Sequence, residues 1–171
     1  DDLIGYSPQQ NSLYPFLSVE ENIFTFGELA GVKSKDIKER MKPLLKTFGL
    51  EDSLKKRVRQ LSGGMQKRAD LVVALIHEPQ VLVLDEPFTG LDISLQSFIW
   101  NHLKKLSDQG KIIIVSSHIL EDLEEHCDTF GLIAQGKFYN TSQIKAGMKQ
   151  HHTTKMKDYF EKLFAHYHNL E

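Results

Sequence analysis

The pattern of apolar and polar positions predicts a helical first part of the chain. Apolar residues recur at helical spacing over 19–29 and again over 34–48, which predicts two amphipathic helices. Ser18 and Glu21 have the spacing of a capping box at the start of the first helix. Pro43 lies within the second, where we expect a bend or a break because proline cannot donate to the helix ladder.

Beyond residue 60, short apolar runs alternate with helical patterns. Val81–Leu84 and Ile112–Val115 are wholly apolar, which is typical of parallel strands buried on both faces. This alternation predicts an α/β fold with a parallel sheet covered by helices. The other predicted elements are a strand at 3–7, a short helix near 50–56, helices at about 62–77, 94–109 and 118–127, strands at 130–134 and 137–140, and a helical tail from 141.

Composition narrows the class of protein further. The chain has 171 residues, 40% hydrophobic and 26% charged, which excludes disorder, collagen and a disulfide scaffold. Its 21 basic and 23 acidic residues give a net charge of −2, so charge gives no support for nucleic-acid binding. No apolar run reaches the roughly 18–20 residues of a membrane span. The single cysteine, Cys127, cannot form an internal disulfide, so we expect a reducing, cytoplasmic setting and an inert thiol.

Two adjacent carboxylates follow the first of the apolar strands. Asp85 and Glu86 stand at the carboxyl end of Val81–Leu84, the edge at which α/β sheets bind ligands. Successive side chains of a strand point to opposite faces, so the two acids can take different roles. One can hold Mg²⁺ and the other can polarise an attacking water. Two exposed acids at a turn are the alternative interpretation.

Three further polar sites stand at element ends. Ser62, Gly63 and Gly64 open a predicted helix, where backbone N–H groups and the helix dipole favour an anion; simple capping by Ser62 also fits. His118 follows the strand Ile112–Val115, where it could contact a phosphate or act only as a polar cap. Gln9, in the loop after the first strand, could ligate Mg²⁺ or orient a water, although one glutamine alone indicates little.

Together and in this order, these segments resemble the nucleotide-binding domain of ABC-type ATPases, most closely those of drug and antibiotic exporters. The resemblance extends over about residues 3–140. The matching segments are YSPQQNSLYPFLSVEENI (6–23, Q-loop region), LSGGMQKR (61–68, signature motif), VLVLDEP (81–87, Walker B), TGLD (89–92, D-loop) and SSH (116–118, switch histidine).

The resemblance implies a fold and a division of the chain. The fold is α/β, a partial P-loop NTPase (RecA-like) parallel sheet with an inserted helical subdomain and a helical C-terminal tail. The implied parts are 1–10 (core strand and Q-loop), 11–66 (helical subdomain), 67–140 (core with Walker B, D-loop and switch histidine) and 141–171 (tail).

The resemblance also implies residue roles in binding ATP and Mg²⁺. Asp85 and Gln9 would hold the metal, Glu86 would be the general base, and His118 and Gln9 would complete the catalytic set. Two such domains associate head to tail in this family, so the signature residues would contact the ATP of the partner. The implied nucleotide-binding residues are Ser62, Gly63, Gly64, Gln66 and Asp92.

A complete Walker A loop, G-x-x-x-x-G-K-[ST], does not occur in the sequence. The string Gly131–Lys137 matches its first seven positions, but Phe138 replaces the Ser or Thr, and a predicted strand–turn–strand offers no helix start to a phosphate. We therefore expect the C-terminal portion of an ABC ATPase domain, with weak nucleotide binding and no useful hydrolysis by this chain alone. The open edge of its partial sheet is expected to favour dimerisation or aggregation.

The resemblance implies partners and leaves alternatives open. The implied partners are a second ATPase domain and a transmembrane subunit docking near the Q-loop and helical subdomain, on the inner face of the cell membrane; no nucleic acid is expected. Exposed apolar residues at 14–16 fit such docking, and core packing is the alternative.

Two rival interpretations remain. One is a soluble ABC protein acting in translation or DNA repair, and the other is a non-catalytic module lending its signature motif. A solvated tail is favoured over a metal site at His151, His152, His166 and His168, which lack Cys or carboxylates at ligand spacing.

Overall fold

The chain, described by a computed structural model over residues 3–10, 12–134 and 136–165, divides into two compact units, 1–116 and 117–171. The described elements of the first unit are β1 (Ile4–Ser7), α1 (Val19–Leu29), α2 (Ser34–Phe48), 3-10 helices at Glu51–Ser53 and Val58–Gln60, α3 (Gly63–Leu75), β2 (Val81–Leu84), α4 (Ile93–Asp108) and β3 (Ile112–Val115). Those of the second unit are α5 (Leu120–His126), β4 (Gly131–Ala134), β5 (Lys137–Asn140), α6 (Thr141–Gln150) and α7 (Met156–Ala165).

The first unit is built on a parallel sheet in the order β1-β2-β3. The predicted α/β class and both predicted central strands are confirmed. Ser7 pairs with Leu84 and Leu84 with Val115, so the carboxyl ends of the three strands lie side by side. This register brings the residues that follow the strands to one edge of the sheet.

One face of this sheet is buried beneath helices. Helix α3 packs against β1, and α4 packs against β3. Gly5 permits the close approach of α3, because a Cβ atom at this position would lie only 2.3 Å from the carbonyl oxygen of Ala74. Leu82 and Leu84 are buried on the same side of the sheet, so this face forms the core that supports the strand ends.

The expectation of buried strands is met on one face of β2, but it is wrong for β3, which has no fully buried residue. Ile112 and Ile114 of β3 are 59% and 52% exposed, and Ile4 and Tyr6 of β1 are also exposed. Both connections between neighbouring strands run in the same direction across the sheet, so right-handed crossovers place their helices on one face. An apolar run cannot distinguish one covered face from two.

Helix α1 begins with the predicted capping box. The Ser18 hydroxyl accepts from the Glu21 backbone N–H at 3.1 Å, and the Glu21 carboxylate accepts from the Ser18 N–H at 2.7 Å. The Ser18 N–H and the Ser18 hydroxyl, which donates to the same carboxylate oxygen at 2.7 Å, hold the pKa of Glu21 below its usual value. The helix start predicted from the sequence is therefore confirmed.

Helix α2 contradicts the expected break at Pro43. It runs without interruption from Ser34 to Phe48 and ends at Gly49 in the left-handed conformation, φ +63°. Its buried residues lie on both sides of the proline and pack into the core. They are Ile37, Met41, Leu45 and Phe48. This packing outweighs the loss of one backbone hydrogen bond at Pro43. The short helix expected near 50–56 is present as a 3-10 helix at Glu51–Ser53, and the second 3-10 helix, Val58–Gln60, was not predicted.

The second unit has its own small core. Strands β4 and β5 pair antiparallel, as the sequence predicted, with Gly131 opposite Asn140. The C-terminal tail forms the helices α6 and α7, as expected. Ile144 on α6 is buried together with Met156, Tyr159 and Phe160 on α7. The four-part division of the chain remains a prediction. None of the helices in the described ranges is long and apolar enough to cross a membrane.

Candidate functional site

The carboxylates predicted to form the site, Asp85 and Glu86, follow the carboxyl end of β2, which pairs with the carboxyl end of β3. The Ser116 hydroxyl donates to Oδ1 of Asp85 at 2.6 Å and accepts from the backbone N–H of Glu86 at 2.8 Å. One hydroxyl therefore ties both acids to the neighbouring strand. Sequence reasoning named Ser116 only as part of the SSH segment and missed this role, although its position one residue beyond a strand was a usable signal.

Glu86 adopts an unusual backbone conformation. Its φ is +44°, in the left-handed region that side chains other than glycine rarely occupy. Thr89 donates its hydroxyl to Oε2 of Glu86 at 3.4 Å and its N–H to the Glu86 carbonyl at 3.3 Å. Strained backbone that the surroundings hold in place often occurs at functional sites, and here it redirects the chain immediately after Asp85.

The residues after Glu86 lead into α4. Phe88 stacks on Trp100 of this helix, with ring centroids 4.4 Å apart. Asp92 is the N-cap of α4, and its Oδ1 accepts from the Leu95 N–H at 2.9 Å. Asp92 therefore has a structural role, and its predicted part in nucleotide binding remains a prediction.

The predicted anion site is the start of α3. The Ser62 hydroxyl caps the helix by accepting from the Met65 N–H at 3.3 Å, so the capping interpretation is correct, while the same O–H group can still donate to an anion. The first turn contains no acidic residue. Gly63 faces open space, and a Cβ on Gly64 would lie 3.0 Å from Leu95 of α4. The Gln66 side-chain amide donates to the Leu61 carbonyl at 3.1 Å.

Gln9 lies exposed in the turn after β1. The residue before that turn, Ser7, is buried against Lys67 and Asp70 of α3. Sequence reasoning missed this buried cluster. Its only sequence signal is a Lys–Asp pair at i, i+3 just before the apolar stretch of α3.

His118 belongs to the second unit, where it is exposed. Next to it, the Ile119 N–H donates to the Ser117 hydroxyl at 3.0 Å. Its convergence with Asp85 and Glu86 remains a prediction.

The string Gly131–Lys137 lies on the β4–β5 strand pair. It does not open a helix within the described residues, in agreement with its rejection as a phosphate loop. The described residues contain no group of three His, Cys, Asp or Glu side chains able to hold a metal, and His166 and His168 lie outside them. Burial, with Asp128 nearby, raises the pKa of the Cys127 thiol, which disfavours the reactive thiolate.

An apolar patch is exposed on the helical part of the first unit. Tyr14 and Phe16 are 49% and 66% exposed, and Leu29 at the end of α1 is also exposed. Core packing, the alternative considered for residues 14–16, is therefore wrong for these two aromatic residues. Arg59 lies over the Phe16 ring at 5.1 Å from its centroid, so a cationic side chain borders the patch.

The donor set at the strand ends suits a small divalent cation. Mg²⁺ binds through oxygen ligands, usually one or two carboxylates together with substrate phosphates. Asp85 provides a carboxylate whose orientation is fixed by Ser116. The residues present therefore fit Mg²⁺, with ATP phosphates supplying further oxygens.

The family model described as ABC transporter matches residues 1–89. The chain therefore belongs to the ABC transporter family, as the ordered motifs of its sequence predicted.

Its curated relatives are ATP-binding proteins of export and resistance systems. They include Nod factor export ATP-binding protein I of Burkholderia lata (39% identical, covering 78% of this chain and 44% of the relative). The linearmycin resistance ATP-binding protein LnrL of Bacillus subtilis is 36% identical, with 78% and 43% covered. The Nod factor protein of Rhizobium sp. is 38% identical, with 86% and 49% covered. The chain thus spans less than half the length of these relatives. Their names confirm the resemblance to exporter-type ATPases.

A solved structure supports the same fold. It is titled as the ATP binding subunit of an ABC transporter, and it aligns with a TM-score of 0.81 at 26% identity. The alignment covers 95% of this chain and 68% of that one. The predicted fold class, part of a P-loop NTPase sheet with accompanying helices, is confirmed.

Proposed function

We propose that the protein containing this chain is the ATP-binding and ATP-hydrolysing subunit of an ABC export system. The observation that carries the proposal is the strand-end cluster in which Ser116 holds Asp85 and Glu86 together. Such a cluster, in a chain of this family, suits phosphoryl transfer to water. The export and resistance functions in the names of its relatives support the outward direction of transport.

Each strand-end residue has a role in the proposed hydrolysis of ATP. Asp85, with Gln9, would hold Mg²⁺, which when bound neutralises charge on the phosphate oxygens. Glu86 accepts a proton from water as the water oxygen attacks the γ-phosphorus and the bond to the ADP oxygen breaks. Thr89 and the positive φ of Glu86 orient this base. His118 contacts the γ-phosphate.

The start of α3 acts on the nucleotide of a second ATPase domain. The exposed Ser62 and Gly63, the neighbouring Gly64 and the lack of an acid in the first turn suit contact with the phosphates of ATP. In this arrangement ATP lies between two domains associated head to tail. Gln66 and Asp92 complete the nucleotide contacts.

The exposed patch of Tyr14, Phe16 and Leu29 is the docking surface for a transmembrane subunit. Tyr14 and Phe16 lie on the segment that continues from the Gln9 turn, and Leu29 ends α1; all three are exposed. Docking there joins the transport pathway to the hydrolytic site. It places the protein in the cytoplasm, peripheral on the inner face of the cell membrane.

Calorimetric titration with MgATP tests the proposal, comparing this chain with the protein restored through its upstream sequence. We expect the longer protein to bind and hydrolyse MgATP, and the 171-residue chain to bind weakly and not to hydrolyse it, since it has no Walker A lysine. A longer protein that binds without turnover would indicate the non-catalytic module. ATP turnover stimulated by ribosomes or DNA would indicate the soluble alternative. Micromolar binding by the short chain alone would show that the missing phosphate loop is not required.

A further inference from the structure

Two charged side chains of α3 are buried although the proposed hydrolysis uses neither. Lys67 and Asp70 are 7% and 1% exposed. Charged residues are almost never buried to this degree unless they are paired. What they contact therefore indicates why they are there.

Their contacts hold the Gln9 segment at both of its ends. The Lys67 ammonium group donates to the Pro8 carbonyl at 3.1 Å, on one side of Gln9. Asp70 Oδ1 accepts from the N–H and the hydroxyl of Ser12 at 3.3 and 3.2 Å, on the other side. The turn that carries Gln9 is thus fixed at each end by one helix.

Ser7 joins the two charges. Its hydroxyl accepts from Lys67 at 2.9 Å and donates to Asp70, whereas Lys67 Nζ and Asp70 Oδ2 are 3.9 Å apart. The Ser7 carbonyl also accepts from the Asp85 N–H at 2.9 Å. Ser7 therefore connects the buried pair to the carboxylate proposed to hold Mg²⁺.

Stability alone does not account for this pair. Burying two charges costs free energy that their attraction often fails to recover, and apolar side chains of similar size are often as stabilising. Burial lowers the pKa of Lys67, while the charges of Asp70 and Asp85 oppose that shift. What the pair provides that apolar residues cannot is a fixed, hydrogen-bonded geometry for the Gln9 segment.

The same helix carries the proposed nucleotide contacts at its start. Lys67 and Asp70 lie five and eight residues after Ser62, or about 8 and 12 Å along the helix axis at 1.5 Å per residue. We propose that the Lys67–Asp70 pair is a positioning pair that holds Gln9 in a fixed relation to the start of α3 and to Asp85, so that ATP turnover depends on it. This inference rests on the proposed ATPase function.

A double-mutant cycle on the longer, active protein tests the inference. The variants are Lys67→Met/Asp70→Leu, which removes both charges together, Gln9→Ala, and their combination. We expect the charge-free variant to keep its urea midpoint, to lose about tenfold in kcat and to keep its KM for ATP within about twofold, because positioning acts on the chemical step. The combined variant should have a kcat no lower than that of the slower of the two variants it combines, since both sets of substitutions remove the same positioning of Gln9.

A matched control is available on α4. The variant Lys104→Met/Asp108→Leu makes the same substitutions in an exposed Lys–Asp pair, and it should keep both kcat and KM. Should the charge-free α3 variant not fold, Ser7→Ala removes the bridging hydroxyl alone and should show the same coupling to Gln9→Ala.

The outcomes separate this inference from the proposed function. If the parent protein is active, two results would overturn the inference alone. One is that the kcat losses of the charge-free variant and of Gln9→Ala multiply in the combined variant, and the other is that the charge-free variant has a normal kcat. A parent that does not hydrolyse MgATP overturns the proposed function and the inference together.

Discussion

Two serine-centred clusters lie at the carboxyl edge of the same sheet, and they differ in exposure. At the end of β1, Ser7 is fully buried between Lys67 and Asp70. At the end of β3, the exposed Ser116 links Asp85 to Glu86. The buried cluster satisfies its charges internally and defines a geometry, whereas the open cluster holds two half-buried carboxylates at the sheet edge, where a metal and phosphates can reach them. Similar side chains thus serve positioning in one cluster and chemistry in the other.

The open cluster should respond to substitution in activity and not in stability. Glu86→Gln removes the proposed base but keeps the size of the side chain, so kcat for MgATP hydrolysis should fall about 10²- to 10⁴-fold. The free energy of unfolding should change by less than about 0.5 kcal/mol, as for a surface substitution. Steady-state hydrolysis and urea denaturation of the longer protein measure both quantities. A large loss of stability with retained activity would reverse the assignment of the two clusters.

The buried cluster should respond in stability when only one charge is removed. Lys67→Met leaves Asp70 buried without its cation, which should cost about 3–5 kcal/mol of unfolding free energy. Urea denaturation measures this loss, and adding Asp70→Leu should restore most of it. If the single and double variants were equally stable, the two side chains would not be acting as a pair.

The bridging hydroxyl of the open cluster should have a smaller effect. Ser116→Ala removes one hydrogen bond to a charged group and one from the Glu86 N–H, so kcat should fall about tenfold. Because Ser116 is exposed, the urea midpoint should change little. Ser97→Ala, an exposed serine on α4, is the matched control and should leave kcat unchanged.

A third ionisable group, the half-buried imidazole of His102, extends the comparison. Nε2 of His102 is buried without a hydrogen-bond partner among the described residues, and the ring packs edge-on against Phe48 at 4.9 Å. Burial, with Lys105 nearby, lowers the pKa of His102 below the ordinary 6.5. As the pH falls below 6.5, the unfolded chain therefore binds the proton first and stability decreases until the folded pKa is reached.

His102→Gln removes this titration, so its stability should depend less on pH in the window below 6.5. Urea midpoints measured at intervals from pH 7 downward test this. Replacing the half-buried His77 by Gln would be a poor control because its ring contacts the Ile4 carbonyl, whereas His152→Gln changes an exposed imidazole. Parallel pH profiles for the parent and the His102 variant would contradict the expectation.

Local signals in the sequence were sufficient for much of the fold. The capping box at Ser18 and the apolar runs of β2 and β3 each indicate an element by a pattern of residues that are close together in the sequence. The ordered motifs likewise located Asp85, Glu86 and the start of α3. Pro43 misled because the packing of α2 against the core, which no local pattern contains, outweighed the local penalty.

Contacts between distant segments could not be predicted in this way. A Lys–Asp pair at i, i+3 normally indicates a solvated helix face, and only the packing of α3 against β1 buries Lys67 and Asp70. The hydrogen bonds of Ser116 likewise depend on the register between β2 and β3. The exposed face of the sheet follows from the handedness of two crossovers, which the apolar runs do not encode.

The stacking of Phe88 on Trp100 has a practical consequence. Trp100 is the chain's one tryptophan, and its stacking partner stands two residues after Glu86. Within this chain, intrinsic fluorescence excited at the indole band therefore comes from a single reporter, stacked against the segment between the proposed base and the D-loop. Stopped-flow mixing with nucleotide could follow rearrangement of that segment in real time, with no dye and no added label.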